Sequence, residues 1–322
     1  MTESLVKIKD LEVVYTTKKN FFGGVKTLHA VNGVSLDIKK GEILAIAGES
    51  GCGKSTLAKA VMRLVNVKSG EIKFEDENIL NFKNREDLKH FYQRVQMIFQ
   101  NPYSSLNPKM KIGQILREPL EINTKLNRTE IDKIVEDKLA KVGLDKSTLE
   151  LYPHEFSGGQ RQRIAITRAL VLSPKFIIAD EPVSALDVSI QAQIINLLKQ
   201  LKDDFNLTFL FISHDLSVIK YLSDRIAIMY LGEIVELGKT EEIFSDPKHP
   251  YTKALLSAVP ELNSNSQKEQ IKLQGELPSV ENLPLGCKFH TRCPFATEKC
   301  KKQTPQITYF SESHYCKCFL HE

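Results

Sequence analysis

Eight residues constrain this chain more than any others. Gly48-Glu49-Ser50-Gly51-Cys52-Gly53-Lys54-Ser55 fits the pattern G-x-x-x-x-G-K-[ST]. It follows Ile43–Ala47, an apolar run of the kind that forms a strand buried on both faces. It opens residues 54–65, where Leu57, Val61 and Val65 recur at helical spacing. Strand, glycine turn and helix in that order make an anion cradle. Glycine lets the backbone curl until successive N–H groups and the helix N-terminus face a phosphate. The pattern assigns Lys54 to the β- and γ-phosphates of a nucleotide and the Ser55 hydroxyl to Mg²⁺. At average residue frequencies it arises by accident in about one chain in a hundred of this length.

The 322 residues suit one large domain or two. Hydrophobic residues make up 42% and charged residues 26%, which excludes disordered and fibrous classes. Lys+Arg 44 against Asp+Glu 40 leaves +4 with no block of like charge, so composition gives no sign of nucleic-acid binding. Apolar runs stay far below the roughly 18 residues of a membrane helix. Met1-Thr2-Glu3-Ser4 has neither the basic nor the apolar region of a signal peptide. A soluble protein working inside the cell is expected.

Strand patterns return at residues 175–180 and 207–213, with a helix expected over 188–201, and that order implies a parallel sheet covered by helices. Between about 101 and 173 the pattern is helical. Asn127 and Glu130 form a capping box, Ile131, Ile134, Val135, Leu139 and Val142 share a face, and Gly143 stands where the helix should stop. An α/β core interrupted by a helical insert is the coarse reading. Residues 261–269 are polar and read as a linker to a cysteine-rich tail.

Two further stretches carry chemistry. Phe176-Ile177-Ile178-Ala179 is a buried strand with Asp180 and Glu181 at its carboxyl end, where α/β sheets place ligand groups. Asp180 suits Mg²⁺, and Glu181 suits polarising an attacking water. Ser157-Gly158-Gly159-Gln160 puts an N-cap and two glycines before a helix expected over 160–172, and it precedes Asp180 by 23 residues. It reads as a second anion-binding helix terminus.

At this point residues 1–260 resemble the ATP-binding cassette (ABC) family. Ser157–Gln160 matches the ABC signature, with Phe156 where leucine is usual. Gln100 matches the Q-loop glutamine that senses Mg²⁺ and the attacking water, and Ser184-Ala185-Leu186-Asp187 matches the D-loop. His214, 33 residues after Glu181, matches the switch histidine at the γ-phosphate. Tyr15 falls where the family stacks an aromatic on adenine, with Phe21 or Phe22 as alternatives. The resemblance implies an α/β P-loop NTPase (RecA-like) core with an antiparallel β subdomain, an inserted helical signature subdomain and a small Cys-rich C-terminal extension over 261–322. It implies ATP and Mg²⁺ as ligands. Gly48, Glu49, Ser50, Gly51, Cys52, Gly53, Lys54, Ser55 and Thr56 would hold the phosphates, and Ser55, Gln100 and Asp180 the metal. Glu181, His214 and Gln100 would be the catalytic set. Ser157, Gly158, Gly159, Gln160 and Asp187 would close on the same nucleotide from the other subunit of a head-to-tail dimer.

The stretch 97–108 and His249-Pro250-Tyr251-Thr252-Lys253-Ala254-Leu255 resemble the ATPase subunits of oligopeptide and dipeptide importers. That resemblance implies a peripheral ATPase at the cytoplasmic face of the cell membrane. Its partners would be two permease subunits, a paralogous ATPase or a second copy of itself, and indirectly an extracytoplasmic peptide-binding protein. No nucleic acid is implied. Nickel and some sugar importers share the subfamily, so these substrates stay open. A soluble ABC ATPase uncoupled from transport fits less well, because such proteins usually carry two cassettes or a long coiled-coil insert.

Five of six cysteines (Cys287, Cys293, Cys300, Cys316 and Cys318) fall in the last 36 residues. The spacing has neither the C-x-x-C knuckle of a zinc ribbon nor the bacterial ferredoxin run. An ATP-using chain in a reducing compartment should keep these thiols free or metal-bound. In some peptide-importer ATPases four such cysteines hold a [4Fe–4S] cluster. On that resemblance Cys287, Cys293, Cys300 and Cys318 are the ligands and Cys316 is an extra. Zinc with His290 or His314, or no metal, are the other readings.

Overall fold

The computed structural model describes residues 3–18, 25–259, 271, 273, 275 and 278–322. Phe21, Phe22 and the polar stretch 261–269 lie outside them. The first half contains β1 (Ser4–Lys18), β2 (Val25–Lys39), β3 (Ile43–Ala47), α1 (Lys54–Val61), β4 (Ser69–Phe74), β5 (Glu77–Asn78), α2 (Arg85–Arg94), β6 (Val95–Ile98), α3 (Pro102–Ser105), α4 (Ile112–Asn123) and α5 (Arg128–Lys141). Then come α6 (Gly158–Leu170), β7 (Phe176–Asp180), α7 (Val188–Phe205), β8 (Thr208–Ile212), α8 (Leu216–Leu222), β9 (Arg225–Tyr230) and β10 (Glu233–Lys239). The chain ends in α9 (Thr240–Ser245), α10 (Pro250–Ser257), α11 (Glu298–Lys302), β11 (Ile307–Tyr309) and β12 (Tyr315–Lys317). Contacts gather these into two compact units, both discontinuous in sequence. One holds Lys39–Glu42 and Asn81–Ile212; the other holds Ser4–Ile38, Ile43–Leu80 and Ser213–Glu322. Among the described residues no helix is long and apolar enough to cross a membrane.

In the first unit β6, β7 and β8 pair in parallel, with Ile98 opposite Ala179 and Asp180 opposite Ile212. Every residue of β7 and β8 is buried, which is why both read as unbroken apolar runs. The helices of the stretch 101–173 close over a core that includes Leu106, Ile112, Leu116, Val135, Leu139 and Ile164. The capping box on α5 forms as expected: Asn127 Oδ1 accepts from the Glu130 N–H at 3.0 Å, and Glu130 Oε2 accepts from the Asn127 N–H at 2.8 Å. Gly143 takes φ +73° beyond the helix end, so that its N–H and that of Leu144 reach the carbonyls of Ala140 and Leu139. The helix expected over 188–201 continues to Phe205. It stops only where Asn206, at φ +50°, lets the Leu207 N–H turn back onto the Lys202 carbonyl.

The second unit contains two sets of strands. One sheet runs β2-β1-β4-β5, with β1·β4 and β4·β5 antiparallel. β1 and β2 are 15 residues each. In the other set β3 pairs β9 in parallel, and β9, β10, β12 and β11 continue antiparallel. α1 stops at Val61, four residues short of the expected end. Arg63 adopts φ +54°, and the N–H groups of Arg63 and Leu64 fold back onto Ala60 and Lys59. That is a glycine-type helix stop made by arginine, and it carries no sequence signal.

Glu236 of β10 is fully buried. It accepts from His314 Nε2 at 2.8 Å and from the backbone N–H groups of Lys248 and His249 at 2.7 and 2.9 Å. Burial opposes its charged form, but these hydrogen bonds outweigh it, and the carboxyl titrates below its usual 4.5. Beside it, burial pushes the His249 ring down from 6.5 to about 4. His249 Nδ1 accepts the Tyr251 N–H at 3.1 Å and caps α10, with Pro250 at the first helical position. The two shifts act in the same direction. The unfolded chain takes up these protons at higher pH than the folded one, so stability is lost as pH falls from 6.5 towards 4. Thermal melts between pH 7 and pH 4 should slope downward, and His249→Gln should flatten the upper part of that slope. An unchanged slope in the variant would refute the assignment.

Candidate functional site

The phosphate loop lies wholly in the second unit. Gly51 and Gly53 have φ +80° and +109°, conformations that side chains resist. A Cβ on Gly53 would lie 2.1 Å from the Ala30 carbonyl oxygen, and one on Gly48 would lie 2.2 Å from that of Met229. The loop is thus pressed onto its floor at both ends. Lys54 is 4% exposed, and its Nζ donates to the carbonyls of Gly48 at 2.8 Å and Glu49 at 3.0 Å. The ammonium is therefore held inside the curl of the loop. Cys52 is buried with its Sγ 3.9 Å from Lys54 Nζ, and burial raises its thiol above the usual value. Ser50, Ser55 and Thr56 complete the loop and the first turn of α1.

Two groups brace this loop from the C-terminal side. The Glu49 N–H donates to the Tyr251 hydroxyl at 2.9 Å, and the Glu49 carboxylate receives Arg292 through two hydrogen bonds. In the sequence, Tyr251 stands out only as part of the stretch 249–255. Arg292 carried no signal, because it meets Glu49 across 243 residues. His214, also in this unit, is exposed in the turn after β8. The preceding residue ties that turn to β3, since the Ser213 N–H donates to the Ile46 carbonyl at 3.3 Å. His214 thus directly follows a residue tied to the strand that feeds the phosphate loop. Tyr15 lies on β1 and is 37% exposed.

The first unit gathers the other motif residues. Asp180 ends β7 and is 5% exposed. Glu181 follows at φ +46°, a left-handed turn that sends its N–H to the Ile212 carbonyl at 2.9 Å. Its carbonyl accepts from the N–H and hydroxyl of Ser184. Gln100 Nε2 donates to Glu181 Oε2 at 2.9 Å. Such strain in a non-glycine residue persists only where the surroundings enforce it.

Nearby, Ser157 caps α6 and Gln160 closes the capping box, its Oε1 accepting from the Ser157 N–H at 3.0 Å. α6 begins at Gly158, two residues before the expected start, because the cap itself sets the first turn. Asp187 caps α7 in the same way, and hydrogen bonds from the Ile190 N–H and the Ser189 hydroxyl hold its carboxyl below the usual range. The two helix starts touch. A Cβ on Gly159 would stand 2.5 Å from Ile190 Cγ2, and one on Gly158 3.3 Å from Leu186 Cδ2. The signature glycines therefore let the N-termini of α6 and α7 lie side by side. The 97–108 stretch docks here too, with Arg161 stacked 4.1 Å over the Tyr103 ring.

The C-terminal cysteines are all free thiols. Cys287, Cys293, Cys300 and Cys318 line one cavity of about 140 Å³, together with Phe289, His290 and Phe295. Burial pushes Cys287 up to about 11, whereas a hydrogen bond from Cys316 brings Cys318 down to about 7 against the effect of burial. Cys316 sits on β12, fully buried and opposite Glu236. It serves as a hydrogen-bond partner of Cys318 and does not line the cavity. Among the described residues no three His, Cys, Asp or Glu side chains converge on a single-ion site.

Residues 31–184 match the family model described as ABC transporter, and residues 235–300 match the oligopeptide/dipeptide transporter C-terminal region. The oligopeptide transport ATP-binding protein AppF of Bacillus subtilis (strain 168) is 48% identical over 99% of this chain and 98% of its own length. The dipeptide transport ATP-binding protein DppF of Escherichia coli (strain K12) is 46% identical over 95% and 92%. Among solved structures, cbiO1 from Clostridium perfringens, part of the ABC transporter complex cbiONQ, superposes with TM-score 0.65 at 28% identity, covering 76% of this chain and 91% of that one. The dimeric, post-hydrolysis cassette MJ0796 bound to ADP and phosphate gives 0.65 at 29% identity over 73% and 98%.

The loop geometry sets a graded expectation. Gly51→Ala meets no atom within 4 Å and carries backbone strain alone, whereas Gly53→Ala adds a collision with backbone. The first should lower the melting temperature by about 2–4 °C and the second by more than about 5 °C. Equal losses in the two variants would contradict the close approach of Ala30.

Proposed function

This chain belongs to the ABC transporter family, and from that premise we propose that it hydrolyses ATP to drive import of di- or oligopeptides through separate membrane permease subunits. The observation that carries the catalytic part is the Gln100–Glu181 hydrogen bond of 2.9 Å beside Asp180, at the carboxyl end of β7. Peptide cargo is supported by the match of residues 235–300 and by relatives of nearly full length that bear peptide-transport names.

In this reading an arriving triphosphate takes over the two hydrogen bonds that Lys54 now gives to loop carbonyls. The backbone N–H groups of the phosphate loop and the α1 N-terminus receive its phosphate oxygens. Glu181 takes the proton of the attacking water, and Gln100 holds that carboxylate in orientation. His214 donates to the γ-phosphate, and Tyr15 stacks on the base. When bound, Mg²⁺ neutralises charge on the β- and γ-phosphates. Ser55, Gln100 and Asp180 would hold it, and hydroxyl, amide and carboxylate oxygens are the donors that ion takes. Ser157, Gly158, Gly159, Gln160 and Asp187 would close on a nucleotide bound by the partner ATPase in a head-to-tail dimer. The paired helix starts of α6 and α7 suit that task, since helix N-termini carry partial positive charge. The assembly would sit at the cytoplasmic face of the membrane, fed by an extracytoplasmic peptide-binding protein.

Glu181→Gln should retain ATP binding while losing hydrolysis by about a hundredfold or more. Cells relying on this chain for peptide uptake should lose that uptake with the same substitution. Hydrolysis at the parental rate would remove Glu181 from the role of base.

We further propose that Cys287, Cys293, Cys300 and Cys318 hold a [4Fe–4S] cluster. Four thiols spread around one cavity of about 140 Å³ suit a multinuclear group, and sulfur donors suit iron. Such a group would cross-link the turns of the C-terminal segment. Anaerobically purified chain should be brown, with about four iron atoms per chain, and Cys300→Ser should remove the colour. Colourless protein with stoichiometric zinc would overturn this.

A further inference from the structure

The phosphate loop contains one acidic side chain, Glu49, only five residues before Lys54. A carboxylate at that place works against a polyanionic ligand unless something compensates it. The compensation comes from the cysteine-bearing turn. Arg292 Nη1 lies 2.6 Å from Glu49 Oε2 and Nη2 lies 3.1 Å from Oε1, a two-pronged pair that fixes both the charge and the plane of the carboxylate. The Arg292 side chain is 8% exposed and that of Glu49 27%, so water screens the pair far less than an ordinary surface bridge. The turn carrying Arg292 is itself anchored. Its N–H donates to the Phe289 carbonyl at 3.0 Å, and the Phe289 ring packs 5.2 Å from Tyr230 and 5.4 Å from Tyr251. Tyr251 in turn accepts from the Glu49 N–H. Backbone and side chain of Glu49 are thus both gripped by the C-terminal segment.

We propose that Arg292 is a positioning residue for nucleotide binding: by pairing with Glu49 it neutralises the one acidic side chain of the phosphate loop and holds it away from the incoming triphosphate. The proposal rests on the reading of residues 48–55 as an ATP site.

The test is nucleotide binding to the full chain, followed with a fluorescent ATP analogue and Mg²⁺, alongside steady-state hydrolysis. Arg292→Gln should weaken binding about tenfold or more and raise KM by a similar factor, with kcat at saturation little changed. Adding Glu49→Gln to that variant should recover most of the lost affinity, since the uncompensated charge is then gone. A scaffold role for Arg292 would give no such recovery. Arg292→Lys, which keeps the charge and loses the fork, should fall between parent and Arg292→Gln, and it tests the idea even if Arg292→Gln folds poorly. The proposal is overturned if Arg292→Gln binds as the parent does, if Arg292→Lys is as weak as Arg292→Gln, or if the double variant is no better than Arg292→Gln. Failure of the parent chain itself to bind the analogue would instead count against the ATP reading.

Discussion

A polyanion can be held by backbone N–H groups only if the chain bends tightly enough to aim several of them at one point. That bend excludes side chains on the inner wall of the turn, and the rest of the second unit is built around this exclusion. The carbonyls of Ala30 and Met229 approach so closely that only hydrogen fits at Gly53 and Gly48. β9 supplies the floor, Tyr251 and Arg292 the side support, and Lys54 the cation inside the curl. Each support is polar or aromatic and closely packed, so the curl has few other conformations open to it.

The first unit solves a different problem, that of placing charged and polar groups at chain ends without burying unmet hydrogen bonds. Ser157 and Asp187 each satisfy the first N–H groups of a helix, and the glycines between them let the two helix starts meet. Glu181 is turned into a left-handed conformation by the Ile212 carbonyl on one side and Ser184 on the other. The strain stays local, and it aims the carboxylate where Gln100 can reach it.

Much of this was legible in the residues. The unbroken apolar runs of β3, β7 and β8 announced buried parallel strands, and the capping box of α5 marked its own start, whereas α6 begins two residues before the expected position. Gly143 announced a helix stop because glycine is the usual left-handed residue; Arg63 and Asn206 did the same job silently or nearly so, and the ends of α1 and α7 were misjudged by four residues each. The four cavity cysteines followed from family resemblance rather than spacing, and only the fold shows them around one space. Long-range pairs stayed invisible, because nothing in a local pattern links Glu49 to Arg292 or Glu236 to His314.

The grip on Glu49 also bears on how this polypeptide can be divided. Every motif that names an ATP site lies before residue 250, which invites trimming the tail to obtain a minimal cassette. Yet Ser213–Glu322 packs into the same unit as the glycine turn and supplies its counter-charge. A shortened product would display all the recognisable signatures and still carry an unbalanced carboxylate at the mouth of its binding curl. On the proposed reading, the extension is part of the nucleotide site's electrostatics.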